Sequence, residues 1–258
     1  MPEGDTVWRA ARRLDEALAG ASVTSTDVRV PRYATVDLAG ETVHGVAARG
    51  KHLLMRIGDQ VVHTHLKMDG EWRVLRPGQR WPHPAHRARI VITTPDTVAI
   101  GFDLGIVEVF PADEEADRLA YLGPDLLGDD WDAAEAMRRL AAHPEQEIIV
   151  ALADQRNLAG LGNVYVNELC FLRGLAPGRP VADVELERAV ALAERLIRAN
   201  RDRVARTTTG DTRPGKRLWV HGRGSQPCRR CGTTIRHARH GRTELELRET
   251  WWCPHCQT

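Results

Sequence analysis

Apolar residues fall at helical spacing near the start of the chain and again in its second half. Behind Asp5 or Thr6, either suited to cap a helix, Val7, Ala11, Leu14 and Leu18 recur on one face while Arg9, Arg12, Arg13, Asp15 and Glu16 fill the other. This predicts an amphipathic helix ending near Gly20. From Ser22 to Pro111 the pattern changes to short runs rich in Val, Ile and Thr, punctuated by Gly and Pro, over residues 43–47, 53–57, 61–65, 72–75, 89–93, 97–102 and 106–110. Such runs predict a predominantly antiparallel sandwich or barrel. Helical sequence returns from about Trp131, with helices expected over 132–142, 145–153, 163–170 and 183–205, and Thr243 to Leu247 alternates like a strand. The expected fold class is α+β in two domains. A helix plus antiparallel β-sandwich takes residues 1–112, a hinge 113–130, a helical domain 131–222 and a C-terminal β-hairpin 223–258.

Length supports this division, since 258 residues can bury two cores. No apolar run approaches the roughly 20 residues of a membrane span. The start lacks the basic region and apolar stretch of a secretory signal, so the expectation is a cytoplasmic protein without a membrane. The formal net charge of +1 hides opposite patches. Residues 49–91 carry nine Lys or Arg against three acids, a net +6, and residues 205–258 carry eleven against four, a net +7. Residues 113–135 hold nine acids and only Arg118, a net −8. Two basic segments could wall a polyanion cleft, or each could be an ordinary solvated face.

Several residues suggest chemistry. If Met1 is removed, as a small second residue permits, Pro2 carries a secondary amine with an unperturbed pKa of about 7.7–8.0. Its neutral form can attack a carbonyl-like carbon to give a Schiff base, with Glu3 placed to move protons. The predicted helix starts beside both residues and holds them to the body of the protein. Gly50-Lys51 forms a turn into a strand, where Lys51 could approach a phosphate or remain a solvated turn lysine. His63 and His65 share one strand face, a pattern better explained by packing or hydrogen bonding than by metal, because no third ligand lies nearby. In Lys67-Met68-Asp69-Gly70 an apolar Met occupies a tight turn, where a wedge between bases would fit. Gly160-Leu161-Gly162-Asn163 puts backbone N–H groups at a helix start, a phosphate-binding geometry or simply a helical hairpin. Cys228-x2-Cys231 and Cys253-x2-Cys256, twenty-one residues apart, have the spacing of one structural zinc site, because four protein ligands leave no open position. Cys170, in an apolar helix, is expected to be buried packing.

In this order, a terminal Pro-Glu, a β-rich domain with a Gly-Lys turn, a glycine-turn helical motif and a basic cysteine hairpin resemble the formamidopyrimidine-DNA glycosylase and endonuclease VIII family of base-excision repair enzymes, along essentially the whole chain. The opening Met-Pro-Glu-Gly, the stretch Gly70 to Val74 and the short segment between Arg206 and Cys228 are closer to endonuclease VIII, the branch associated with oxidised pyrimidines. The resemblance implies a bifunctional DNA glycosylase and AP lyase, with a helix-two-turn-helix domain and one structural Zn2+ in a zinc finger. It implies that Pro2 attacks C1′ of the damaged nucleotide, that Glu3 moves protons, and that the iminium leads to β,δ-elimination. Lys51, Asn163 with Gly162, and Arg248 would grip phosphates around the extruded nucleotide, and Met68 with Lys67 and Asp69 would fill the vacated stack. The implied partner is double-stranded DNA containing oxidised bases or abasic sites, met by a monomer associated with the nucleoid. One departure stands out: Thr6, preceded by Asp5, occupies the place of the family's usual second glutamate. Two rivals remain, a damaged-DNA-binding protein without chemistry on the same scaffold and a metal-dependent nuclease using His63, His65 and nearby acids.

Overall fold

Helix α1 (Gly4–Leu18) buries Val7, Ala11, Leu14 and Leu18, the predicted stripe, and Gly20 at φ +80° leads the chain away. The strands that follow are β1 (Ser25–Val28), β2 (Val43–Arg49), β3 (His52–Ile57), β4 (Gln60–His65), β5 (Glu71–Leu75), β6 (Ala88–Thr93), β7 (Val98–Phe102) and β8 (Ile106–Pro111). They build two four-stranded antiparallel sheets, β1-β6-β7-β5 and β2-β3-β4-β8. Strand β1 escapes the sequence pattern because it is a short edge strand with a single buried residue, Val28.

Alternation divides the buried side chains of each sheet between two faces. Leu53, Met55 and Ile57 of β3, Val62 of β4 and Ile90 and Ile92 of β6 join the α1 stripe in one core, which period-two spacing makes possible. A bulge between Val43 and Gly45 interrupts the β2 register, and Asp15 of α1 accepts the Val46 N–H at 2.8 Å there. The opposite face of the β2-β3-β4-β8 sheet carries Leu54, Val61 and Phe110, which pack against Leu119 of helix α2 (Glu115–Leu119). Arg56 of β3 and Glu115 of α2 pair on that side through two hydrogen bonds of 2.8 and 2.5 Å.

This computed structural model describes residues 2–258 and divides into two compact units, one ending at Tyr121 and one running from Leu122 to Thr258. The second unit holds α3 (Ala133–Ala141), α4 (Ile148–Ala153), α5 (Asn163–Arg173), α6 (Leu186–Asn200), β9 (Arg236–His240) and β10 (Arg248–Trp252). Helix α6 is shorter than the expected 183–205 because Asn200 closes it: its amide donates to Leu196 O and Thr207 O at 2.9 Å and its carbonyl accepts the Thr207 N–H at 2.8 Å. The strand expected from Thr243 to Leu247 is a correction. Those residues form the tip of the hairpin, a 3-10 turn at Glu244–Glu246 with Leu245 exposed, while the strands lie on either side. Alternation without a buried face does not make a strand. The α+β class, with a sandwich, a helical region and a four-cysteine hairpin, stands. Among the described residues no helix is long and apolar enough to cross a membrane.

Candidate functional site

Pro2 is half-buried, and the side chain of Glu3 beside it is fully buried at 0% exposure. Glu3 is the N-cap of α1, with extended backbone, and its carbonyl accepts the N–H groups of Thr6 at 2.9 Å and Val7 at 3.0 Å. These bonds tie the start of the chain to a helix that is itself packed into the core. Asp5 is buried as well. One of its oxygens accepts the Thr6 N–H at 2.8 Å and the other lies 3.7 Å from Arg9, so its charge serves the first helical turn, where the helix dipole favours an anion. Met1, whose removal would free the Pro2 amine, lies outside the described residues.

Lys51 sits on the turn joining β2 to β3. Arg49 pairs with His52, leaving Gly50 and Lys51 as a two-residue hairpin loop, and Gly50 at φ +59° supplies the left-handed first position that such a loop requires. Met68 is 61% exposed at the crest of the loop between β4 and β5. The base of that loop is tight. Gly70 N–H donates to Leu66 O at 2.9 Å, Lys67 adopts φ +54°, and His65 Nδ1 accepts the Lys67 N–H at 2.9 Å. His63 and His65 share a face, and hydrogen bonds occupy them as expected: His63 Nδ1 lies 3.0 Å from Glu108 Oε2.

In the second unit the glycine turn is organised by Gln155, which donates to the carbonyls of Ala153 and Leu161 and accepts the Gly160 N–H at 3.0 Å, with Gly160 at φ +111°. Gly162 caps α5 and Asn163 opens it. The Asn163 amide donates to the carbonyl of Glu249 at 2.8 Å, and Asn167 one turn later accepts the Trp251 N–H at 2.7 Å. The glycine turn is thus stapled to β10 directly beside Arg248, which opens that strand with an exposed side chain. Arg242 of the hairpin tip adds an ion pair to Asp154 at 2.9 Å.

The four hairpin cysteines bring their sulfurs within 4.8 Å of one another, with Cys228–Cys256 at 4.0 Å and Cys231–Cys253 at 3.5 Å. A metal bonded to four sulfurs at about 2.3 Å sets them about 3.8 Å apart, so the donor set fits a tetrahedral ion. Among the described residues no other group of three or more His, Cys, Asp or Glu side chains has that closeness. Cys170 is fully buried and burial pushes its thiol up to about 12, which suits the packing role expected for it.

Sequence reasoning missed Glu168. It is the one acid in the otherwise buried, largely apolar α5, and that isolation was its signal. Its carboxylate accepts the backbone N–H groups of Trp219 at 2.7 Å, Val220 at 2.8 Å and His221 at 2.9 Å, and the Thr208 hydroxyl. Burial pushes its pKa up while these donors pull it down. The carboxylate fixes the segment that leads into the cysteine hairpin.

Sequence models of the formamidopyrimidine-DNA glycosylase N-terminal domain and of the formamidopyrimidine-DNA glycosylase H2TH domain match residues 1–103 and 122–212. The chain belongs to the formamidopyrimidine-DNA glycosylase family. It is similar to the probable endonuclease 8 2 of Streptomyces coelicolor, at 53% identity over 100% of this chain and 94% of that protein. It is equally similar to the DNA-(apurinic or apyrimidinic site) lyase Nei2 of Mycolicibacterium smegmatis, at 53% identity over 100% of this chain and 99% of that one. Among solved structures, the Fpg of Lactococcus lactis, in complex with an abasic site containing DNA, superposes with a TM-score of 0.82 over 100% of both chains at 22% identity.

Proposed function

We propose that this chain is a DNA glycosylase and AP lyase of base-excision repair that acts through the amine of Pro2. The observation that carries the reading is the pinned start of the chain, where Pro2 precedes a fully buried carboxylate, Glu3, at the N-cap of a core helix. Binding DNA alone requires neither residue. Relatives named endonuclease 8 and AP lyase, each matching over the whole chain at 53% identity, support it.

The Pro2 nitrogen lone pair attacks C1′, the glycosidic bond breaks, and its electron pair leaves with the base, which takes a proton. Loss of the amine proton and opening of the sugar, with Glu3 as proton carrier, leave an iminium on C1′. That cation acidifies the neighbouring C2′–H, so its removal expels the 3′ phosphate. A second elimination expels the 5′ phosphate, and water releases the amine. Lys51 in the first unit, and Asn163 with Gly162 and Arg248 in the second, are assigned to backbone phosphates. Such contacts hold register while base extrusion costs a few kcal/mol. Met68, flanked by Lys67 and Asp69, is assigned to the vacated stack.

The cysteine cluster is assigned one structural Zn2+, which would order the hairpin that carries Arg248. The domain limits follow the same reading: a catalytic sandwich over 1–112, a hinge over 113–130, a helix-two-turn-helix domain over 131–222 and the zinc finger over 223–258. The working form is a monomer in the cytoplasm acting on double-stranded DNA with oxidised pyrimidines or abasic sites.

Borohydride trapping on an abasic-site duplex tests the chemistry, using protein shown by mass to begin at Pro2. A covalent adduct on the N-terminal peptide is expected. No adduct would leave a damage-binding protein on this scaffold. Cutting that stops at once on chelation, before the hairpin unfolds, would instead favour a metal-dependent nuclease.

A further inference from the structure

Beside the Lys51 turn, the sheet face turned away from the main core holds a chain of polar side chains that the reaction above does not use. Tyr121 Oη lies 3.0 Å from His52 Nε2, His52 Nδ1 lies 2.8 Å from His63 Nε2, and His63 Nδ1 lies 3.0 Å from Glu108 Oε2. His52 and His63 are 8% and 7% exposed. The route crosses three strands, since His65 stands opposite His52 on β3 and β4 while His63 stands opposite Glu108 on β4 and β8.

Glu108 determines the order of the protons. A carboxylate only accepts, so His63 Nδ1 carries the hydrogen it donates, and in the neutral ring its Nε2 must then accept. His52 Nδ1 therefore donates to His63, His52 Nε2 accepts, and the Tyr121 hydroxyl donates to it. Every hydrogen points from Tyr121 toward Glu108. Burial first, then His63, His65, Lys67 and Lys51, hold His52 down to about 3, and His65 is held at about 4 by burial, Lys67, Lys51 and His63. His52 is thus neutral at physiological pH, as this order requires. Apolar side chains would cover the same face without desolvating polar groups. What the chain of bonds adds is direction: His52 is the first residue after Lys51, and its backbone closes the hairpin against Arg49.

We propose that Tyr121, His52, His63 and Glu108 are positioning residues, a one-way hydrogen-bond relay that fixes the Gly50-Lys51 turn so that Lys51 meets a DNA phosphate. This rests on the assignment of Lys51 to a phosphate, and the experiment separates the two. In assigned 15N spectra of the free protein, His52 and His63 should both be Nδ1–H tautomers. Glu108→Ala should switch both rings to Nε2–H, since losing the terminal acceptor reverses the whole order. A His52 tautomer that ignores Glu108→Ala would overturn the relay without reference to DNA.

Binding to a duplex with a tetrahydrofuran abasic analogue reads the consequence. Glu108→Ala and Tyr121→Phe should each weaken it about tenfold, the size of one lost hydrogen bond, and should add nothing once Lys51→Ala is present. If Lys51→Ala alone leaves affinity unchanged, the phosphate assignment fails and the positioning role fails with it. If Lys51→Ala weakens binding while the relay variants bind normally, or add in full to it, the assignment stands and only the relay's role is overturned.

Discussion

A carboxylate sealed from water costs several kcal/mol unless donors surround it, and Glu168 is tolerated because four donors converge on it. Glu168→Ala leaves three backbone N–H groups around Val220 without their acceptor, so it should destabilise the protein by on the order of 3 kcal/mol or more. Glu168→Gln keeps one accepting oxygen and should cost roughly half as much. Urea unfolding followed by tryptophan fluorescence measures both, and a cost for the alanine variant below about 1 kcal/mol would remove Glu168 from any part in ordering residues 219–221. The cysteines were legible in the sequence and Glu168 was not, for a physical reason. Paired cysteines on a hairpin announce themselves through the spacing of near neighbours. Glu168 is satisfied by groups 40 to 53 residues further along, which come to it only once the chain has folded. Asp5 lies between these cases. Its place near the start could be read, but its engagement with Thr6 N–H and Arg9 belongs to the three-dimensional helix end.

The loop between β4 and β5 separates two demands that a sequence shows as one motif. Met68 at its crest touches mainly solvent, whereas a Cβ on Gly70 at its base would sit 2.4 Å from the Leu66 carbonyl oxygen. Met68→Ala should therefore leave stability within about 0.5 kcal/mol of the parent yet weaken binding to an abasic-analogue duplex by tenfold or more, because the unstacked step loses its filler. Gly70→Ala should lower both stability and binding, since the loop must shift to make room. Thermal melts and titrations on the two variants decide it. Normal binding by Met68→Ala would end the assignment of Met68 to the stack. The same contrast explains which elements could be read beforehand. Strands β2 to β8 were legible because burial, on both faces in β3, β4 and β7, demands short runs rich in Val, Ile and Thr between Gly and Pro breaks. The edge strand β1 and the hairpin strands β9 and β10 bury few residues, so nothing compels such a run, and the alternation at 243–247 marks a turn instead.

Charge patterning along the chain was visible from the start, but only the structure shows which charges oppose one another locally. The acidic run 113–135 is partly neutralised, with Glu115 on Arg56, Glu114 on Arg118 and Glu135 on both Arg138 and Arg139. The basic C-terminal segment is partly neutralised too, since Arg213 chelates Asp211 and Arg242 meets Glu246 and Asp154. Affinity for a polyanion depends on the charges that displace counterions from it, so the count of basic residues overstates the footprint. Arg248, exposed at the start of β10 beside the Asn163 staple, is assigned to that footprint. Log affinity against log salt should fall with a slope of about −0.9 per neutralised phosphate, and Arg248→Ala should make it shallower by about one unit for any duplex sequence. Arg213→Ala removes a cation that Asp211 already opposes and should change the slope by clearly less. Titrations of both variants between low and moderate salt measure the difference. Equal slopes for Arg248→Ala and the parent would take Arg248 off the phosphate, and equal loss from both variants would mean that diffuse charge, not a placed guanidinium, holds the DNA there.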